Sequence, residues 1–205
     1  MSKLQPSVPL VFAFLLLAAC GEPDEENVCT PRVEQSDLDA LGPGCQEDAV
    51  CTPRADPASL IDQMAWSYQN DAAADPLAEH RPTDIDCPET AYELDGSILE
   101  VDTGACNYLS VSQPTLQPIR ACDTLQVTVS HFNLYAPVPA EGHVAVVVDG
   151  DVVLDEVRQI PHPSDFIYLR WKASRPYPAG VPVVFHVHNH GVNEWQIVDI
   201  SVGAD

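Results

Sequence analysis

The sequence predicts an all-β domain, a two-sheet antiparallel β-sandwich of about eight strands, and three observations carry that prediction. From Cys87 onward the runs ILEV, NYLSVS, TLQVTVSHFNL, HVAVVV, DVVLDEV, FIYLRW, VVFHVHNH and EWQIVDISV are rich in branched and aromatic residues, many alternating with polar ones. Turn formers separate the runs, at Gly104, Pro114, Pro139 to Gly142, Asp149-Gly150, Pro161 to Pro163, Pro176 to Gly180 and Gly191 to Asn193. No stretch of helical period interrupts them, and a span of about 119 residues suits two packed sheets.

The elements that precede the sandwich read differently. Residues 1–19 carry one charge, Lys3, and an apolar run from Val8 to Ala19. That run is shorter than the roughly 20 residues a spanning helix needs, and it fits the h-region of a signal peptide. The LAAC that follows, Leu17 to Cys20, resembles the lipobox of bacterial lipoproteins. The resemblance implies a lipoprotein acylated at Cys20, held by a palmitate-bearing lipid anchor on a membrane of the cell envelope, at the outer membrane or cell surface rather than the inner membrane. More than one acyl chain suffices for stable attachment without a spanning segment.

Residues 20–27 are acidic, and nothing in GEPDEEN builds a core, so they read as a solvated tether. Residues 28–86 form a loop-rich, cysteine-containing segment in which VCTPR occurs twice, at Val28 to Arg32 and Val50 to Arg54. Within it, Asp56 and Pro57 are suited to start a helix, with Leu60, Ile61, Met64 and Tyr68 at helical spacing. One short helix is predicted there. Residues 87–205 make the sandwich, and the Asp-Gly between VVV and DVVL marks a two-residue hairpin.

With Cys20 assigned to lipid, six cysteines remain: Cys29, Cys45, Cys51, Cys87, Cys106 and Cys122. In an oxidising compartment an even six reads as up to three disulfides. Zinc ligation by them is disfavoured, because no C-x-x-C pair occurs. Three lie on each side of Asp86, so complete pairing within one chain requires a bridge between the two segments. Residues 20–86 hold sixteen acidic and three basic side chains, and the whole chain carries a formal net charge of −22. Such a chain is repelled by the phosphate backbone, which excludes nucleic acid as a partner.

The closing pair, YPAGVPVVFHVHNHGVNEWQIVDISVG, resembles the last two strands of galactose-binding-like and carbohydrate-binding-module jelly rolls. The HNHG ending is also similar to that of bacterial lipoproteins of uncharacterised activity. The first resemblance implies a jelly-roll-like fold, a glycan as candidate ligand, and a structural calcium ion for which Glu100, Asp102 and Asp199 are the matching positions. Calcium wants six to eight oxygens, which three carboxylates alone do not supply. Glycan binding needs an aromatic platform, and Trp171, Tyr177 and Trp195 are the candidates, each weighed against a place in the core.

In FHVHNHG a strand puts His186, His188 and His190 on one face and Phe185 and Val187 on the other, toward the core. Neighbours two apart converge on one ion, but three spanning about 13 Å do not. A zinc or copper site therefore takes His186 and His188 with a third imidazole from another strand, His131 or His143. His80 and His162 sit in proline-containing polar segments and read as solvated. Catalysis is disfavoured, since neither G-x-S-x-G, H-E-x-x-H nor a glycine-rich phosphate loop occurs. The sequence thus leads to a non-catalytic envelope lipoprotein whose sandwich binds glycan or an envelope protein. The alternative is a zinc- or copper-binding protein.

Overall fold

The computed structural model describes residues 54, 56–69 and 71–203. Eleven strands run in chain order among them: β1 (Ala58–Ser59), β2 (Ser67–Tyr68), β3 (Tyr92–Asp95), β4 (Ile98–Asp102), β5 (Tyr108–Pro114), β6 (Thr124–His131), β7 (Ala140–Val148), β8 (Asp151–Ile160), β9 (Asp165–Lys172), β10 (Pro182–Asn189) and β11 (Glu194–Gly203). One sheet has the order β3-β4-β11-β6-β9, with β1 joined to the far end of β11. The other has the order β2-β5-β10-β7-β8. Every pairing is antiparallel, and the architecture is the all-β sandwich expected.

The period-two pattern explains the core. Phe185 and Val187 of β10 pair with Val111 and Leu109 of β5 on one side and with Val146 and Val144 of β7 on the other. All six are buried between the sheets, where they meet Val127, Val129, Trp195, Ile197 and Ile200 of the facing sheet. Burying each such side chain contributes about 1.5–3 kcal/mol. The Asp149-Gly150 hairpin joins β7 to β8 with both residues at positive φ, 49° and 84°, which matches a primed two-residue turn.

The helix expected after Asp56 does not form. Ala58–Ser59 instead adds to β11, the Leu60 amide donates to the Ile200 carbonyl at 2.8 Å, and Leu60 and Ile61 enter the core. A turn at Asp62 then sends Ser67–Tyr68 to the edge of β5 in the other sheet. A helix of three turns is marginal alone, and two unsatisfied sheet edges outcompete it. Met64, placed on the apolar stripe by helical spacing, is 74% exposed. Among the described residues the helical turns are two three-residue 3₁₀ segments, Ala78–His80 and Glu89–Ala91.

Cys87 and Cys106 form a disulfide 19 residues apart in sequence. Closing a loop of that size stabilises by about 3 kcal/mol in the chain-entropy picture. Cys122 is also disulfide-bonded. Cys20, Cys29, Cys45 and Cys51 lie outside them as well.

Candidate functional site

The outer face of the five-stranded sheet holds the histidines. Register places His186 between Ser110 of β5 and Ala145 of β7, and His188 between Tyr108 and His143. Both imidazoles point away from Phe185 and Val187, as alternation requires. His186 does not reach open solvent, however, at 0% exposed, whereas His188 is only partly buried. The cover is the segment around Asp75 to Arg81, which crosses the sheet and buries Leu77 against Ala145, Val147 and Val184 in a second, smaller apolar cluster.

A buried carboxylate fastens this strap. Asp75 accepts hydrogen bonds from Tyr108 Oη at 2.6 Å, Ser110 Oγ at 3.3 Å and the Leu77 amide at 3.0 Å, and pairs with Arg81 at 3.4 Å. The Arg81 guanidinium also lies 5.6 Å from the Tyr108 ring centroid. Burial and then the Asp75 hydrogen bond push the Tyr108 hydroxyl well above the usual tyrosine range.

The strap brings His80 over the sheet. Its ring centroid stands 4.4 Å from that of His143 and 6.1 Å from that of His186, while His143 and His186 are 5.2 Å apart. His143 Nε2 donates to Asp155 Oδ1 at 2.6 Å, which leaves Nδ1 without a partner. Neither ring nitrogen of His186 makes a hydrogen bond of ordinary geometry, the Leu109 backbone offering only a poorly formed one. Burial first, then the neighbouring His143, His188 and His80, push the His186 imidazole down to about 2, against a smaller opposing effect of the Leu109 backbone. The His188 ring lies 4.6 Å from His190 and 5.7 Å from Tyr108, and its Nε2 is also buried without a hydrogen-bond partner.

Of the two imidazoles expected to complete a site, His143 joins His186 and His131 does not. His131 ends β6 in the opposite sheet, against Trp195 and His162 at 4.8 and 5.4 Å. His80, read from sequence as solvated, takes the place intended for it. Only the strap brings His80 there, and no spacing rule reports that. Among the described residues no group of three or more His, Cys, Asp or Glu side chains is placed so that it could hold a metal ion. Of the calcium candidates, Glu100 accepts from Gln196 Nε2 at 2.6 Å and Asp102 from the Gly104 amide at 2.8 Å. Asp199 follows the bulge in β11 and pairs with Thr128.

The aromatic candidates are mostly interior. Trp195 is 0% exposed and Tyr177 1%. The Tyr177 hydroxyl donates to Asp151 at 2.7 Å beneath Arg175, and half-buried Trp171 packs on its ring. Their rings serve the core. Four aromatics are exposed among the described residues, Phe132 and Tyr135 in the loop after β6 and, on the outer face of edge strand β9, Phe166 and Tyr168 at 53% and 72%. The Phe166 and Tyr168 rings stack at 5.7 Å and 14°. Beside them, in register, runs a polar row: Ser130 of β6, Gln196 of β11, Glu100 of β4 and Glu93 of β3. Ser130 Oγ donates to Gln196 Oε1 at 2.9 Å. A groove of about 310 Å³ opens where Ser130, Phe132, Asp165, Phe166 and Gln196 meet.

No protein-family description matches the chain, and no characterised protein matches it in sequence. Solved structures do show similarity in shape. The mannan-recognising carbohydrate-binding module TmCBM27 aligns at a TM-score of 0.45 and 8% identity, over 74% of this chain and 98% of that one. A CBM4 module aligns at 0.36 and 13%, over 69% and 92%. TmCBM61, solved with β-1,4-galactotriose, aligns at 0.38 and 7%, over 72% and 99%. Carbohydrate-binding modules are thus among the structures this chain is similar to.

Proposed function

We propose that the protein is a non-catalytic glycan-binding module of the cell envelope, carried on a lipid anchor at Cys20. The observation that supports the binding face is the stacked, exposed Phe166 and Tyr168 pair at the end of the polar row Ser130, Gln196 and Glu100. A sugar ring presents an apolar C–H face and a rim of hydroxyls. Two flat rings on a rigid strand meet the face, and carboxylate and amide side chains meet the rim. The row crosses five strands, about 19 Å at sheet spacing, which is long enough for an extended chain of sugars rather than a single ring. Opposite this face, the Asp75 to Arg81 strap occupies the five-stranded sheet, so the six-stranded face is the open one.

A glycan array with the mature protein tests the reading. Binding to at least one polysaccharide class is expected, and Tyr168→Ala and Phe166→Ala should each weaken it about tenfold or more, a loss of about 1.4 kcal/mol. Both side chains are exposed, so stability should change by no more than about 0.5 kcal/mol. Equal binding by the double variant would remove this face from the proposal. The anchor has its own test: Cys20→Ala should abolish lipid labelling and release the protein from membrane fractions, and unchanged labelling would refute acylation at Cys20.

A further inference from the structure

We propose that His80, His143 and His186 form a site for one zinc-class divalent ion, closed by the strap and independent of the glycan face. Three features of the cluster converge on this. First, the donors are free where they should be bonded. His186 is fully buried with neither ring nitrogen in a well-formed hydrogen bond, and His143 Nδ1 is bare. Buried polar nitrogens in native proteins are almost always satisfied, and one that is not points to a water or an ion.

Second, the spacing suits a tetrahedral ion. With nitrogen bonds of 2.0–2.1 Å, imidazole centroids around one zinc stand about 5 Å apart. The three observed separations, 4.4, 5.2 and 6.1 Å, bracket that value. The nitrogens do not yet converge. His80 is the member free to close, its side chain 40% exposed on a three-residue turn of the strap. His186 and His143 are fixed by the sheet.

Third, the second layer is in place. Asp155 holds His143 by Nε2, which fixes the tautomer that offers Nδ1 to a metal, the arrangement in which a carboxylate orients a histidine ligand. Three imidazoles with a fourth position for water favour zinc or copper over calcium or magnesium. His188 also has a bare buried Nε2, but its ring contacts run to His190 and Tyr108 rather than to His80, so it is not assigned to the triangle.

The test uses the mature chain, purified without an affinity tag and stripped with chelator. Dialysis against Zn²⁺ should load one ion per chain, and Co²⁺ should give the visible absorption of a tetrahedral site. His80→Ala and His143→Ala should each reduce bound zinc at least tenfold, and Asp155→Asn should weaken affinity about 10- to 100-fold. His188→Ala and His162→Ala should retain full occupancy. His80 lies half exposed on the surface, so His80→Ala should keep the wild-type thermal transition and report on the ligand rather than on folding. A wild-type chain that takes up no zinc at neutral pH overturns the proposal. Undiminished zinc in His80→Ala also overturns it, as does loss of zinc in His188→Ala with retention in His80→Ala.

Discussion

Asp75→Ala is expected to destabilise the protein by about 3 kcal/mol or more, the largest effect of any single surface-segment change. The carboxylate is buried and receives Tyr108 Oη, Ser110 Oγ and the Leu77 amide while pairing with Arg81, whose side chain is 13% exposed. Removing it leaves the tyrosine hydroxyl without its short acceptor and Arg81 without this counter-charge. Breaking a buried pair by deleting one partner costs about 3–5 kcal/mol. The damage should be local before it is global. Without Asp75, Leu77 loses its clamp over Ala145, Val147 and Val184, and amides of β5 and β10 beneath the strap should exchange faster than those of β6 and β11. Asp75→Asn keeps one acceptor oxygen and should recover part of the loss. A urea midpoint within about 0.5 kcal/mol of wild type for Asp75→Ala would show that the strap is held by something else.

The strap also marks the boundary of what sequence could reveal. Period-two alternation identifies the sandwich, because a buried face repeats every second residue wherever two sheets pack. It also identifies Phe185 and Val187 as core. Alternation says only that His186 lies on the opposite face, and it is silent on whether that face meets water or a covering segment. Burial of both faces of β10 depends on residues a hundred positions earlier. The placement of His80 and Asp75 follows from that tertiary fact alone.

The exposed aromatic pair was legible, and the signal was present in FIYLRWK. There Phe166 and Tyr168 share a parity with Arg170 and Lys172, whereas Ile167, Leu169 and Trp171 share the other. Two cations on one side of a strand identify the solvent face, so the aromatics on that side are the exposed ones. The module resemblance points instead to Trp171, Tyr177 and Trp195, each weighed against a place in the core, and Trp195 and Tyr177 are fully buried core residues. The misplaced helix has a similar cause. Leu60 and Ile61 are apolar because they enter the sandwich from an edge, and with Tyr68 of β2 they imitate a helical stripe over a stretch too short for helical period to be decisive.

Metal-free protein should lose stability steadily as pH falls from 7 to 5, by about 2 kcal/mol through His186 alone. The unfolded chain takes up a proton at this histidine near pH 6.5. The folded chain resists until about 2, because the ring is buried and faces His143, His188 and His80. The unfolded state therefore binds more protons at every pH between those values. The stabilisation is complete above about pH 6.5 and is lost progressively as pH falls below it, toward 2. His188, pushed down to about 4 by burial and by His190, contributes in the same direction. Denaturant midpoints measured at pH 7, 6 and 5 in chelator-treated protein should show the slope, in a window above the range where most carboxylates titrate. His186→Leu removes the titrating ring and its two poorly satisfied buried nitrogens together, so it should flatten the slope by up to about half, His188 and His131 carrying the rest, without loss of stability at pH 7. A variant that kept the wild-type slope would place the acid sensitivity outside this cluster and leave His186 protonated at no greater cost folded than unfolded.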